Sequence, residues 1–104
     1  METISARELD WYVQNHFLII DLRSAEDYAA AHIRGAVNVP HGRFKKELSG
    51  YVHEPIVLYC ERGALSMAVA RELEAKGYKT RSVVGGIRAY RGKYLTIDTR
   101  LTGH

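Results

Sequence analysis

The sequence predicts an α/β domain in which helices cover both faces of a parallel β-sheet. Two observations carry this prediction: short apolar runs end abruptly at a polar residue, and stretches with helical periodicity stand between those runs. Continuous apolar runs are typical of strands buried on both faces, and helical crossovers between them indicate that the strands are parallel. Because no repeat and no linker interrupts the 104 residues, we expect a single domain over residues 1–104.

The amino-terminal elements are predicted from capping residues and from one apolar run. Ile4 opens a short extended segment, and Ser5 with Glu8 three positions later forms a capping box. The helix behind this box has an apolar face with three members: Leu9, Tyr12 and Val13. The run FLIIDL (17–22) that follows is typical of a buried strand.

The next elements are short. Ser24, with Asp27 three positions later, is expected to cap a helix over 25–32. The segment GAVNVP (35–40) lies between a glycine and a proline and predicts a short strand. The segment GRFKKEL (42–48) predicts another short helix.

The second half of the chain contains the strongest helical pattern. Pro55 precedes IVLYC (56–60), a second buried strand. The helix LSMAVARELEAKGY (65–78) follows, with Gly77 where a C-terminal glycine cap is expected. Its predicted apolar face has five members: Leu65, Ala68, Val69, Leu73 and Ala75. TRSVV (80–84) is then expected to be the last strand.

This arrangement places Asp21 and Cys60 at one edge of the sheet. Each residue ends a buried apolar run, and the carboxyl ends of parallel strands meet at the edge where ligands bind. After the last strand, Gly85–Gly86 predicts a tight turn, and IRAYRGKY (87–94) predicts a final helix.

Composition argues against several classes of protein. Fifteen Lys and Arg against twelve Asp and Glu give a net charge of +3, a mild bias that attracts small anions. The basic residues are scattered and form no nucleic-acid motif, so we expect no nucleic-acid partner. A single cysteine cannot form an internal disulfide, which suits a reducing compartment. The chain shows no signal peptide and no apolar segment of roughly 20 residues, so we expect a cytoplasmic location and no membrane partner.

Cys60 stands between a buried strand and the strongest predicted helix. A tight loop over Cys60–Ser66 would turn backbone N–H groups toward the sulfur, and the helix N-terminus adds its own N–H groups and dipole. Gly63 permits a backbone conformation that other residues resist. These features favour the thiolate, which is the nucleophilic form of cysteine. The residues alone leave a second interpretation open, in which Cys60 is a small buried apolar side chain.

Spacing tests other kinds of cysteine chemistry. A cysteine phosphatase needs an arginine six positions after its nucleophile, where this chain has Ser66, so phosphate or arsenate chemistry is a minor alternative. A thioredoxin-type site needs a second cysteine where Gly63 stands. None of the five histidines stands in a protease signature, and one cysteine with dispersed histidines does not indicate a zinc site.

Two segments resemble the rhodanese family of sulfurtransferases. IIDLRSAEDYAAAHIRGAVNVP (19–40) resembles the family's pattern of Asp-x-Arg, then Glu-x-Tyr/Phe, then Gly-His-Ile-x-Gly-Ala-x-Asn-x-Pro, with Ala31 in place of the usual glycine. The loop Cys60–Ser66 matches Cys-x-x-Gly-x-x-Ser. VVGGIRAY (83–90) resembles the closing Gly-Gly segment, with Tyr90 where tryptophan is common. The chain thus resembles a single-domain rhodanese over nearly its whole length.

The resemblance implies a five-stranded parallel sheet flanked by helices, and a sulfurtransferase that carries sulfur as a persulfide on Cys60. The donor would be thiosulfate, a polysulfide or a persulfide, the acceptor would be cyanide or a thiol, and a sulfur-relay protein would be a further partner. No metal or organic cofactor is implied. Asp21 and Arg23 are expected to support the loop, and the alternative for Asp21 is that it only caps the turn that follows it. The expected substrate-binding residues are the six after the cysteine: Glu61, Arg62, Gly63, Ala64, Leu65 and Ser66.

Further polar residues near these motifs are given structural roles. Arg23 is expected to pair with Glu26 or Asp27, and His32 to pack or to hydrogen-bond the backbone rather than act as a base. Two arginines either reach the mouth of the site or lie on the surface: Arg34 and Arg88.

Two residues depart from the family pattern. Leu65 stands where arginine is common, and Glu61 follows Cys60 directly. Glu61 should repel a dianion such as thiosulfate unless Arg62 points inward to compensate, which favours a persulfide, a polysulfide or a partner protein as donor. The departures motivate a second hypothesis, a non-catalytic rhodanese-like module that binds a partner or senses redox state.

Overall fold

The computed structural model of the protein describes residues 1–40 and 53–97. The strands within these residues are β1 (Glu2–Ile4), β2 (Leu18–Asp21), β3 (His32–Ile33), β4 (Val37–Asn38), β5 (Pro55–Tyr59), β6 (Lys79–Val83) and β7 (Leu95–Thr96). The α-helices are α1 (Leu9–Gln14), α2 (Ala25–Ala30) and α3 (Ala64–Glu74). The helix predicted over 42–48 lies outside the described residues. Among the described helices, none has the length and apolar character needed to cross a membrane.

Five strands form one parallel sheet, as predicted, and their order is β1–β6–β5–β2–β4. The central strand β5 is its most deeply buried part, since residues 56–59 are 0% exposed. Asp21 pairs with Tyr59 in the register of β2 and β5, so both strands end at the same edge. Cys60 follows directly, one residue beyond the end of β5 rather than within it.

Each face of the sheet has its own apolar cluster. Ile19 and Val57 point to one face and pack in a cluster that includes Leu9 of α1. Their chain neighbours Ile20 and Leu58 point to the other face and pack with α3. Because successive side chains of a strand alternate between faces, two apolar neighbours in a row are what a sheet covered on both sides requires.

The predicted caps of the two short helices are present. Ser5 and Glu8 form the capping box, with the Ser5 amide donating to the Glu8 carboxylate at 2.8 Å. Ala6–Glu8 form a 3-10 turn, and α1 begins directly after it. Ser24 accepts from the amide of residue 27 and caps α2. That helix ends at Ala30, two residues before the predicted end, because His32 belongs to β3.

The buried face of α3 differs from the prediction. Ala68 and Ala75 are exposed, whereas Ser66 and Ala70 are buried. The buried positions follow the spacing of one helical face, and Ser66 joins them because it turns toward the loop that precedes the helix. Gly77 has φ +96° and terminates the helix as predicted.

The carboxyl-terminal elements correct two predictions. The segment 87–94 is not a helix: Ile87–Ala89 form one 3-10 turn, and Tyr90 after it is extended. Strand β6 is not the last strand, since β7 pairs antiparallel with β3 and sets Leu95 opposite Ile33. The helical pattern of 87–94 is overridden because the amide of Tyr94, which a helix would join to the Tyr90 carbonyl oxygen, donates to the Tyr90 hydroxyl at 2.8 Å, and that hydroxyl is held by Asp10.

Candidate active site

The sulfur of Cys60 lies within hydrogen-bonding distance of two backbone amides. Gly63 N donates to Sγ at 3.1 Å and Ser66 N at 3.3 Å. Gly63 is the residue before α3 and Ser66 lies in the first turn of that helix, where the positive end of the helix dipole also acts. Two N–H groups directed at one sulfur stabilise negative charge on it. Within the described residues these two amides, not all six of the expected loop positions, donate to the sulfur.

The loop turns these amides toward the sulfur because its carbonyl groups are bound on the other side. The amides of Ile87 and Arg88 donate to the carbonyl oxygens of Cys60 and Glu61, at 3.0 and 3.1 Å. Gly86 lies against these two carbonyl groups, and a Cβ atom at residue 86 would stand 2.5 Å from each of their oxygens. The glycine pair that the sequence predicts as a tight turn thus allows the two amides after it to hold the backbone of the cysteine loop. Contact between segments so far apart in sequence leaves no local signal.

Gly63 has the backbone conformation that the sequence predicts for it. Its φ of +104° is left-handed, a region that residues with a Cβ atom rarely adopt. A Cβ atom at this position would also stand 2.9 Å from the amide nitrogen of Gly85. Conformation and close packing therefore both require glycine three residues after the cysteine.

A buried pair of hydroxyl groups supports the loop from behind. Ser66 Oγ donates to the carbonyl oxygen of Gly63 at 3.2 Å and lies 2.8 Å from Ser82 Oγ on β6. Since the single hydrogen of Ser66 goes to Gly63, the Ser82 hydroxyl is the donor in the second contact. Both serines are almost fully buried, so this chain of hydrogen bonds joins β6 to the loop in the absence of competing solvent.

The remaining side chains of the loop face different surroundings. Leu65, at the position where the family commonly has arginine, is partly buried against the apolar cluster on the α3 face of the sheet. Arg62 and Ala64 are exposed. Cys60 itself is 4% exposed, yet it belongs to neither apolar cluster of the described residues, and its sulfur faces amides instead. Such narrow access suits a reactant that presents a single terminal atom.

A buried carboxylate network lies beside the cysteine. Asp21 is fully buried and accepts hydrogen bonds from the Arg23 side chain (Nη2, 2.7 Å) and from the Tyr59 hydroxyl (2.8 Å). The Tyr59 hydroxyl in turn accepts from the amide of Ile33 at 3.1 Å. Burial, and then the negative charge of Asp21, raise the pKa of Tyr59, so this hydroxyl stays a donor. The network fixes the residue that immediately precedes the cysteine.

Arg23 has other partners than predicted. Its ion pairs are with Asp21 at 2.7 Å and Glu61 at 3.5 Å, not with the acidic residues of α2. Glu61 also accepts from Arg88 Nε at 2.7 Å. The hydrogen bond from Arg88 lowers the pKa of Glu61, and the positive charge of Arg23 lowers it further, although partial burial opposes both. The charge of Glu61 is therefore balanced by these two arginines rather than by Arg62, which makes no ion pair in the described residues.

Two other candidates lie in structural positions. The Nδ1 atom of His32 lies 2.7 Å from the carbonyl oxygen of Tyr28, and the two rings stack with centroids 3.7 Å apart. This confirms packing and backbone hydrogen bonding for the histidine. The Arg34 guanidinium lies over the Tyr94 ring. Among residues 1–40 and 53–97, no group of acidic, histidine and cysteine side chains could hold a metal ion.

Comparison with known proteins places this chain in a family. The sequence matches the rhodanese-like domain over residues 5–93. A tRNA sulfurtransferase from Desulfurococcus amylolyticus is 39% identical over 74 residues, which are 71% of this chain but 15% of that protein. Thiosulfate sulfurtransferase GlpE from Coxiella burnetii is 28% identical over 83 residues, 78% of either chain.

A solved structure supports the same assignment. The rhodanese-like domain protein from Staphylococcus aureus superposes with a TM-score of 0.83 at 28% identity, covering 93% of this chain and 98% of the other. The family match, the fold and the strand-end position of Cys60 agree, and the chain therefore belongs to the rhodanese-like domain family.

Proposed function

We propose that this protein is a sulfurtransferase that carries a sulfane sulfur as a persulfide on Cys60. The observation that carries the proposal is the pair of amide hydrogen bonds from Gly63 and Ser66 to the cysteine sulfur. Backbone amides that are already directed at the sulfur stabilise its negative charge both before and after Cys60 gains a second sulfur atom. The names of the two sulfurtransferase relatives support the same chemistry.

The proposed reaction has two steps. The Cys60 thiolate attacks the outer sulfur of a sulfane donor, the bond between the outer and inner donor sulfurs breaks, and the leaving group departs with the bonding electron pair. With thiosulfate the products are the Cys60 persulfide anion and sulfite. A thiophilic acceptor, cyanide or a thiolate, then attacks the terminal sulfur and restores the Cys60 thiolate. No metal or organic cofactor enters either step.

The loop residues have distinct roles in this proposal. Gly63 and Ser66 supply the amides, and the rest of the substrate-binding loop is formed by Glu61, Arg62, Ala64 and Leu65. Asp21 and Arg23 support the loop through Tyr59 and Glu61, to which they are bound. Because Cys60 is only 4% exposed, a donor whose reactive sulfur is a terminal atom fits better than one whose reactive sulfur is flanked by other groups.

Intact-mass measurement tests the proposal. Incubation of the wild-type protein with thiosulfate, and separately with a polysulfide, is expected to add the mass of one sulfur atom, and added cyanide is expected to remove it as thiocyanate. Cys60→Ser, which retains the size of the side chain, is expected to gain no sulfur. If no sulfane donor loads the wild-type thiol, the proposed activity is wrong and a non-catalytic, partner-binding role takes its place.

A further inference from the structure

Four charged groups of alternating sign cross the carboxyl edge of the sheet. In order of contact they are Asp21, Arg23, Glu61 and Arg88, joined by distances of 2.7, 3.5 and 2.7 Å. These residues follow or end β2, β5 and β6, which are neighbouring strands. We call these four residues the charge bridge. It crosses the sheet edge at the end of β5, next to Cys60.

The two ends of the charge bridge differ in exposure. The Arg23 side chain is 8% exposed and is held by the buried carboxylate of Asp21, so this end is fixed. Glu61 and Arg88 side chains are 44% and 60% exposed. Arg88 nevertheless holds Glu61 at two points, because its amide binds the Glu61 carbonyl oxygen while its guanidinium binds the carboxylate. The backbone and the side chain of Glu61 are thereby both fixed, one residue after Cys60.

The position of Glu61 decides the charge that an incoming donor meets. Two negative and two positive groups make the charge bridge neutral overall. Glu61 occupies donor groups of two guanidinium ions that would otherwise be free to bind an anion. The amides at the sulfur can receive one negative charge, whereas a second negative charge on the donor would lie in the field of the Glu61 carboxylate.

We infer that Glu61 and Arg88 determine donor specificity by charge, so that the site prefers a singly charged sulfane donor to a doubly charged one. The inference rests on the proposed sulfur transfer, and assigns Arg88 a place in the site that the sequence leaves open. Glu61 and Arg88 act here as specificity-determining residues and take no part in the bond changes.

Two donors with the same reactive atom test this inference. Thiosulfate is a dianion, and methanethiosulfonate is a monoanion that gives the same Cys60 persulfide and releases methanesulfinate instead of sulfite. The measurement is kcat/KM for each donor with cyanide as acceptor, expressed as the ratio of thiosulfate to methanethiosulfonate. Glu61→Gln is expected to raise this ratio about tenfold through KM, since removing one nearby negative charge favours the dianion more than the monoanion.

Further variants separate a local charge effect from other causes. Arg88→Gln leaves Glu61 less compensated and is expected to lower the ratio by a similar factor, and the double variant is expected to return it close to the wild-type value. Glu72→Gln is the matched control, because Glu72 is also a half-exposed, ion-paired glutamate but lies near the far end of α3. Its ratio is expected to equal that of the wild type.

The possible results have distinct meanings. If both donors load Cys60 and Glu61→Gln leaves their ratio unchanged, or shifts it no more than Glu72→Gln does, the charge inference is overturned while the proposed activity stands. If neither donor loads the wild-type cysteine, the proposed activity falls and the inference falls with it.

Discussion

Gly86 lies against the carbonyl oxygen of Cys60 so closely that a Cβ atom at residue 86 would stand 2.5 Å from it. The contact has a consequence for the sulfur. With the carbonyl groups of Cys60 and Glu61 bound by the amides that follow Gly86, the loop can direct its own amides to the other side, toward Sγ. The segment after β6 therefore shapes a site to which it contributes no reactive group.

This contact makes Gly86→Ala a strongly disruptive change. The methyl group would meet two backbone oxygens that cannot rotate away, and φ at this position is +62°. We expect a loss of roughly 3–4 kcal/mol in the free energy of unfolding, measured by urea denaturation. Gly35→Ala is the matched control, because residue 35 has φ +83° but open space around its Cβ position. Left-handed strain alone should cost about 1–2 kcal/mol there. Equal losses in the two variants would show that the contact is unimportant.

The sequence predicts the parts of the site that depend on local rules. Gly63 is recognisable because a turn from a strand into a helix needs a left-handed residue, and Cys60 because it ends an apolar run. The places of Gly86 and Arg88 are not predictable in this way. They follow from the strand order, which sets β6 beside β5 and carries the segment after β6 onto the cysteine loop. A hydrogen bond between the distant residues Tyr90 and Asp10 explains why 87–94 is not the helix that its local pattern predicts, because the Tyr94 amide binds that Tyr90 hydroxyl and not a helical carbonyl oxygen.

The serine pair behind the loop should show unequal costs. Ser66→Ala leaves the Ser82 hydroxyl buried without an acceptor and removes one of the two donors to the Gly63 carbonyl oxygen, which keeps the Met67 amide, so we expect a loss of roughly 1–3 kcal/mol. Ser82→Ala should cost less, since the Ser66 hydroxyl keeps Gly63 as its acceptor. In a double-mutant cycle by urea denaturation, the double variant should be more stable than the sum of the single losses predicts. Additive losses, or a costlier Ser82→Ala, would contradict this direction of hydrogen bonding.

Tyr59→Phe should destabilise the protein although the ring remains. The lost hydroxyl donates to the buried carboxylate of Asp21 and accepts from the amide of Ile33, and both partners would stay buried without it. We expect a loss of roughly 2–4 kcal/mol by thermal or urea unfolding. Tyr94→Phe provides the comparison, because the Tyr94 hydroxyl accepts from Gln14 at an exposed position. That exposed bond should contribute well under half as much. A Tyr59→Phe variant as stable as Tyr94→Phe would rule out a tight Asp21 network.

The Glu61–Arg88 pair should stabilise the protein in a pH-dependent way. Hydrogen bonding from Arg88 holds the pKa of Glu61 below its usual value of 4.5 in the folded state. As pH falls, the Glu61 carboxylate is therefore protonated in the unfolded state before it is protonated in the folded state. The stabilisation is present above pH 4.5 and is lost as pH falls through the folded-state pKa.

With both side chains well exposed to solvent, we expect the wild type to exceed Glu61→Gln by no more than about 1 kcal/mol in urea denaturation at neutral pH. The difference should shrink as pH falls below 4.5 and disappear once the carboxylate of the wild type is protonated in the folded state as well. Arg88→Gln should lose most of this pH-dependent increment, because it removes the larger cause of the lowered pKa and leaves only the charge of Arg23. A difference between wild type and Glu61→Gln that is as large in acid as at neutral pH would show that packing, and not the charge of Glu61, is its source.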